Sequence, residues 1–176
     1  MKKIAAFLAI ALLTSCHQMQ PSSSASVVQA FDPLLYVDPF IGTDGKGKTF
    51  PGATVPHGMV QLSPDNGRTG WDWIAGYFYP DNLIAGFSHT HFSGTGHSDL
   101  GDFLIMPTTG KLQLNPGTED HPENGYRSKF SHDNESAEPN YYKVKLDDHH
   151  IMAELTTTTR VGYHQYTFPK SDQAHI

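Results

Sequence analysis

The sequence predicts an all-β chain folded as an antiparallel β-sandwich, and three observations predict it. Beyond the N-terminal segment no long helical periodicity occurs, and the 16 Gly and 12 Pro recur too often for helices of ordinary length. The last third of the chain alternates with period two. Tyr142, Val144 and Leu146 oppose Lys143 and Lys145; Ile151, Ala153 and Leu155 oppose Met152, Glu154 and Thr156. Val161, Tyr163, Gln165 and Thr167 then oppose Gly162, His164, Tyr166 and Phe168. With a turn at Asp147-Asp148 and a break at Arg160, these runs read as a meander. Third, aromatic residues make up 11% of the chain while charged residues are only 17%, a balance suited to a β-rich extracellular domain that meets neutral polar ligands.

At the N-terminus, basic Lys2 and Lys3 precede the uncharged apolar run Ile4 to Leu13, then Thr14 and Ser15. That order is a secretory signal peptide, shorter than the roughly 20 apolar residues that span a bilayer. Leu13-Thr14-Ser15-Cys16 resembles a bacterial lipobox, which implies that Cys16 is lipidated and becomes the mature N-terminus. Acyl chains contribute about 0.8 kcal/mol per buried CH₂, so a lipid anchor to the membrane and a cell-envelope, outer-membrane location, periplasmic or surface-exposed, are expected. The plain alternative is a secreted protein with an incidental cysteine, and one cysteine makes no internal disulfide. Met19 to Ala30 is rich in Ser, Gln and Ala and uncharged, as a flexible tether would be. The expected organisation is 1–15 signal peptide, 16–31 tether and 32–176 partial β-sandwich. Lys and Arg total 12 against 18 Asp and Glu, with no basic patch, which excludes nucleic acid as a partner.

Further along, Phe103 to Met106 is a short apolar run stopped by Pro107, and Leu112 and Leu114 alternate with Lys111 and Gln113 after Gly110. A hairpin is expected there. Between Asn115 and Asn140 lies polar loop with Pro116, Pro122 and Pro139, and one strand near Tyr126 to Phe130. Pro169 to Asp172 reads as a turn and Ala174-His175-Ile176 as the opening of another strand. A strand ending so early would leave its neighbour unpaired, so the sandwich is expected to be cut short before its C-terminal end.

Residues 38–107 are glycine-punctuated loop in which Trp, His, Asp and Ser side chains stand between glycines that allow close backbone approach. Such loops build sites, because polar groups buried in irregular backbone are costly unless used; tight turns between short strands are the alternative. The segments are Asp38-Pro39-Phe40-Ile41-Gly42-Thr43, Phe50-Pro51-Gly52-Ala53-Thr54-Val55-Pro56-His57-Gly58, Gly70-Trp71-Asp72-Trp73, and Gly86-Phe87-Ser88-His89-Thr90-His91-Phe92-Ser93-Gly94-Thr95-Gly96, with Asp99, Gly101 and Asp102 behind. From about Tyr36 to Ile176 they resemble the N-terminal domain of glycoside hydrolase family 92, calcium-dependent exo-α-mannosidases common in glycan-degrading Bacteroidetes. The resemblance implies a β-supersandwich joined to a C-terminal (α/α)6 domain, with the active site between them. It implies inverting hydrolysis of α-mannosidic bonds in mannose-containing glycans, with a glutamic acid and an aspartate from the barrel, and calcium beside the nonreducing mannose. In 176 residues there is no room for that barrel. No catalytic residue or calcium ligand is therefore assigned to this chain, and calcium is expected only of the full-length enzyme.

The candidate substrate-binding residues are Trp71, Asp72, Trp73, His89 and His91. In an extended loop Trp71 and Trp73 share a face; one could stack on a pyranose, worth about 1 kcal/mol by analogy with aromatic pairs, and Asp72 could accept sugar hydroxyls. Anchoring of the loop is the alternative. His89 and His91, with His97, Asp99 and Asp102 behind, have the composition of a zinc site. The preferred reading is that these histidines and Ser88 bond sugar or the missing barrel, with buried histidines satisfied by backbone as the alternative. Asp99 and Asp102 as a catalytic pair are disfavoured, and Tyr126, Tyr141 and Tyr163 read as core. Three functions compete: part of an α-mannosidase, a stand-alone surface mannose-binding lipoprotein, and an inactive truncated gene product.

Overall fold

A computed structural model describes residues 31–94, 100–118 and 120–176. The signal peptide, Cys16, all but residue 31 of the tether, His97 and Asp99 lie outside the described residues. Residues 33–176 form one compact unit, which carries every strand among the described residues.

The strands are β1 (Ala53–Thr54), β2 (Gln61–Asp65), β3 (Leu83–Ile84), β4 (Gly86–Ser88), β5 (Thr108–Thr109), β6 (Ser128–Lys129), β7 (Glu135–Glu138), β8 (Tyr141–Leu146), β9 (Ile151–Thr157), β10 (Gly162–Thr167) and β11 (Ala174–His175). All pairings are antiparallel. One sheet runs β10-β9-β8-β7, a second β1-β2-β4, and two pairs, β11-β5 and β3-β6, flank them. β1 and β2 pack on β9, so the two larger sheets form the layers of an all-β sandwich.

The expected meander is present. β8 buries Tyr142, Val144 and Leu146, and β9 buries Ile151, Ala153 and Leu155, each at 1% exposure or less. They meet Leu62 of β2 and Phe87 of β4 across the sandwich in one apolar cluster. Each fully buried side chain of this size contributes about 2 kcal/mol. Alternation with lysines works because β8 has one wet face.

Four expectations change. The hairpin between Phe103–Met106 and Lys111–Leu114 does not form. Phe103 has φ 57°, Ile105 bridges Phe87 instead, and β5 pairs with β11. Nearby partners outcompete Leu112 and Leu114, which stay exposed. Tyr163 is not core: it is 59% exposed, because β10 turns Gly162, His164 and Tyr166 inward. The glycine-rich stretch is not only loop, since β1 to β4 are threaded through it. Lastly, the polar segment before β8 holds β7 as well as β6.

β7 is held by a buried charge rather than by apolar alternation. The Glu135 carboxylate, with 1% of its side chain exposed, accepts the Tyr77 hydroxyl at 2.9 and 3.0 Å and the Tyr142 hydroxyl. His132 Nδ1 lies 2.6 Å from it, while His132 Nε2 faces the Tyr79 carbonyl at 2.7 Å. Burial and the Glu135 charge push both phenols far above their ordinary range, so both stay donors.

Candidate functional site

Trp71, Asp72 and Trp73 form one turn of 3-10 helix entered through Gly70 at φ 121°. The turn is not extended, so the two indoles do not share a face. With three residues per turn, positions i and i+2 point apart. Trp71 is 61% exposed. Trp73 is tied down: its Nε1 donates to Asp81 Oδ2 at 2.9 Å, and its ring meets Phe78 edge-on at 5.5 Å. Asp81 is 7% exposed and also pairs with Arg68 at 2.7 Å. Held by this buried carboxylate, the partly buried Trp73 fixes the turn that presents its neighbours.

Asp72 leaves 48% of its side chain in solvent and pairs with Lys48 Nζ at 2.6 Å. That ammonium is nearly buried, bonds the Gly45 carbonyl at 2.7 Å and lies 5.3 Å from the Phe78 ring centre. The Lys48 carbonyl in turn accepts from Gly94 N–H at 2.6 Å. Three loops thus meet around one lysine that the sequence did not flag. A carboxylate held by a buried cation keeps its second oxygen for an incoming hydroxyl.

His91 sits on the far side of the same cleft as Trp73. The cleft holds about 190 Å³ between Arg68, Trp73, Thr90, His91 and Phe92. His91 is 5% exposed; Nδ1 donates to the Gln61 carbonyl at 2.7 Å, and Nε2 lies 3.1 Å from Asp65 Oδ1 and 3.2 Å from Ser88 Oγ. Ser88 donates to the other Asp65 oxygen at 2.5 Å. The composition is Ser-His-Asp, but one ring nitrogen serves both partners. A nucleophilic relay needs hydroxyl and carboxylate on opposite nitrogens, so this cluster ties β2 to β4.

His89 leaves the others and faces a different groove of about 820 Å³, lined mainly by Met59, Val60, Phe103 and Ile105. Its Nδ1 donates to the Phe103 carbonyl at 3.1 Å, so Nε2 is an acceptor for His164 Nε2, 3.1 Å away. His164 Nδ1 then accepts the Tyr166 hydroxyl at 2.7 Å. Burial, then the neighbouring His89, lower His164 to about 4, and burial raises Tyr166 above its usual range. His89 and His91 therefore do not converge on one ion. Among the described residues no three His, Cys, Asp or Glu side chains do.

A model of the glycosyl hydrolase family 92 N-terminal domain matches residues 36–176. A solved α-mannosidase of that family from Bacteroides thetaiotaomicron, determined with mannoimidazole, is 50% identical with a TM-score of 0.77, over 80% of this chain and 19% of that one. An inverting family 92 mannosidase from the same organism is 28% identical with a TM-score of 0.61, over 81% of this chain and 19% of its own. An uncharacterized secreted glycosidase of Arthroderma benhamiae is 32% identical over 151 residues, 80% of this chain and 18% of that protein. The chain thus spans about a fifth of the length of the proteins it matches.

Proposed function

The chain belongs to glycosyl hydrolase family 92 through its N-terminal domain, and from that membership we propose that it supplies one wall of the sugar site of an exo-acting, inverting α-mannosidase. The exposed Trp71 ring beside the half-exposed Asp72 carboxylate carries the reading. The ring offers a flat apolar surface to one face of a mannosyl unit, and the carboxylate accepts its hydroxyls. The neighbouring cleft lined by Trp73 and His91, about 190 Å³, is below the roughly 300–1,000 Å³ of a complete small-molecule pocket. That size suits a site closed by a second lobe. An inverting hydrolase sets an acid and a base about 6.5–9.5 Å apart around a water. Asp65, Asp72 and Asp81 are each bonded to a neighbouring side chain, so none is assigned either role. Both are proposed to come from an (α/α)6 domain in the part of the relatives that this chain does not span.

Calcium takes six to eight oxygen ligands. The described residues bring no three carboxylates together, so they do not fit that ion and no step is routed through it. Cys16 is proposed as a lipid anchor at the cell envelope; the relative from Arthroderma benhamiae is named as secreted. Among the described residues no helix is long and apolar enough to cross a membrane.

A second reading, a stand-alone mannose-binding lipoprotein, is favoured by the closed apolar cluster around Leu62, Phe87 and Val144. Titrating the chain with methyl α-mannoside under tryptophan fluorescence and NMR tests the sugar wall. Trp71→Ala should weaken binding about five-fold, the equivalent of about 1 kcal/mol, without lowering the melting temperature. Resonances of residues 71–73 that ignore the mannoside would refute the wall. Mannose release from disaccharides only when the rest of the relatives' length is supplied would favour the first reading over the second.

A further inference from the structure

We propose that His89 and His164 form a two-histidine site for a borderline divalent transition ion, zinc or nickel, which would clasp the end of β4 to β10. The two Nε2 atoms face each other at 3.1 Å. Two imidazole nitrogens bound at about 2.0–2.1 Å to one ion in tetrahedral or square geometry stand about 2.9–3.4 Å apart. The ring centres are 4.9 Å apart. A straight N–H···N bond of the observed length would put them about 5.4 Å apart, so the rings are bent off the nitrogen–nitrogen line. Two rings aimed at a common ion at bonding distance have centres about 4.9 Å apart.

The outer nitrogens carry the partners that ligating histidines use. His89 Nδ1 donates to the Phe103 carbonyl and His164 Nδ1 meets the Tyr166 hydroxyl. Ion binding needs the lone pair on His164 Nε2. Its hydrogen shifts to Nδ1 and is donated to the Tyr166 oxygen, whose own hydrogen turns away, so no proton is gained or lost. Room is provided by Gly162, where a Cβ would stand 2.9 Å from His89 Nε2. Access is provided by the groove on the His89 side, where water would complete the coordination. Arg160 also lines that groove and suits an anion as an outer ligand. Calcium is not the match, because it selects oxygen.

The test is titration of the metal-stripped full chain with zinc chloride at neutral pH, followed by calorimetry and by imidazole ¹⁵N resonances. One equivalent should bind, shift the Nε2 signals of His89 and His164, and raise the melting temperature, while calcium chloride does none of these. His89→Ala and His164→Ala should each weaken zinc binding at least ten-fold, and exposed His121→Ala should not. Absence of binding, binding that leaves both Nε2 signals in place, or binding indifferent to both alanine variants overturns the proposal. If either variant fails to fold, the wild-type resonances decide the matter alone.

Discussion

Gly76 shows how little freedom single positions have around the cleft. Its φ is +85°, and a Cβ there would lie 2.4 Å from Asp65 Oδ1 and 2.8 Å from His91 Cδ2. Gly76→Ala should therefore destabilise the fold by about 1–3 kcal/mol, read as a lower urea midpoint with an unchanged slope. An unaltered midpoint would mean that the His91–Asp65 contact yields freely. Trp71 and Trp73 were both legible as candidates, because two tryptophans around an aspartate between glycines are rare chemistry. Which one faces outward was not legible. That choice depends on Asp81, eight residues away in sequence, and on a 3-10 turn that composition does not announce. His89 and His91 are similar: their spacing suggested a shared role, but each ring is claimed by a different strand, β10 for one and β2 for the other.

Elements with one wet and one dry face could be read directly. β8 and β9 alternate because lysine and glutamate on one side face water while valine, leucine and tyrosine on the other face the core. β7 could not be read, since its inward residues are a glutamate and one small alanine, and the partners of that glutamate lie on other elements. Two-residue strands such as β3 and β5 are defined by their neighbours rather than by any internal pattern. On β10 the half-buried His164 gives the sheet a pH response. Its native value of about 4 lies below the usual 6.5, so between these values the unfolded chain binds more protons. Its contribution to stability is complete above about pH 6.5 and lost as the pH falls toward about 4. Melting temperature should drop across that window, and His164→Gln should flatten the drop. Parallel curves for the two proteins would exclude His164 as the cause.

At the scale of the molecule, sandwich architecture and family were legible because motif and alternation point the same way. The destination of the N-terminus belongs to the same scale. If Cys16 is acylated, the mature N-terminal peptide carries lipid mass and the protein partitions with membranes, and Cys16→Ser releases it to the soluble fraction. An unlipidated Cys16 in a soluble wild-type protein would discard the anchor. The Glu135 carboxylate has a wider effect than its own strand. It takes hydroxyls from Tyr77, in the glycine-rich half, and from Tyr142, in the meander. A slide of β7 by one residue would exchange its faces, throwing the acid into water and leaving both phenols without an acceptor. Misaligned versions of this edge are thus rejected by their orphaned hydroxyls, a proofreading of strand alignment that also makes the two halves of the chain melt together.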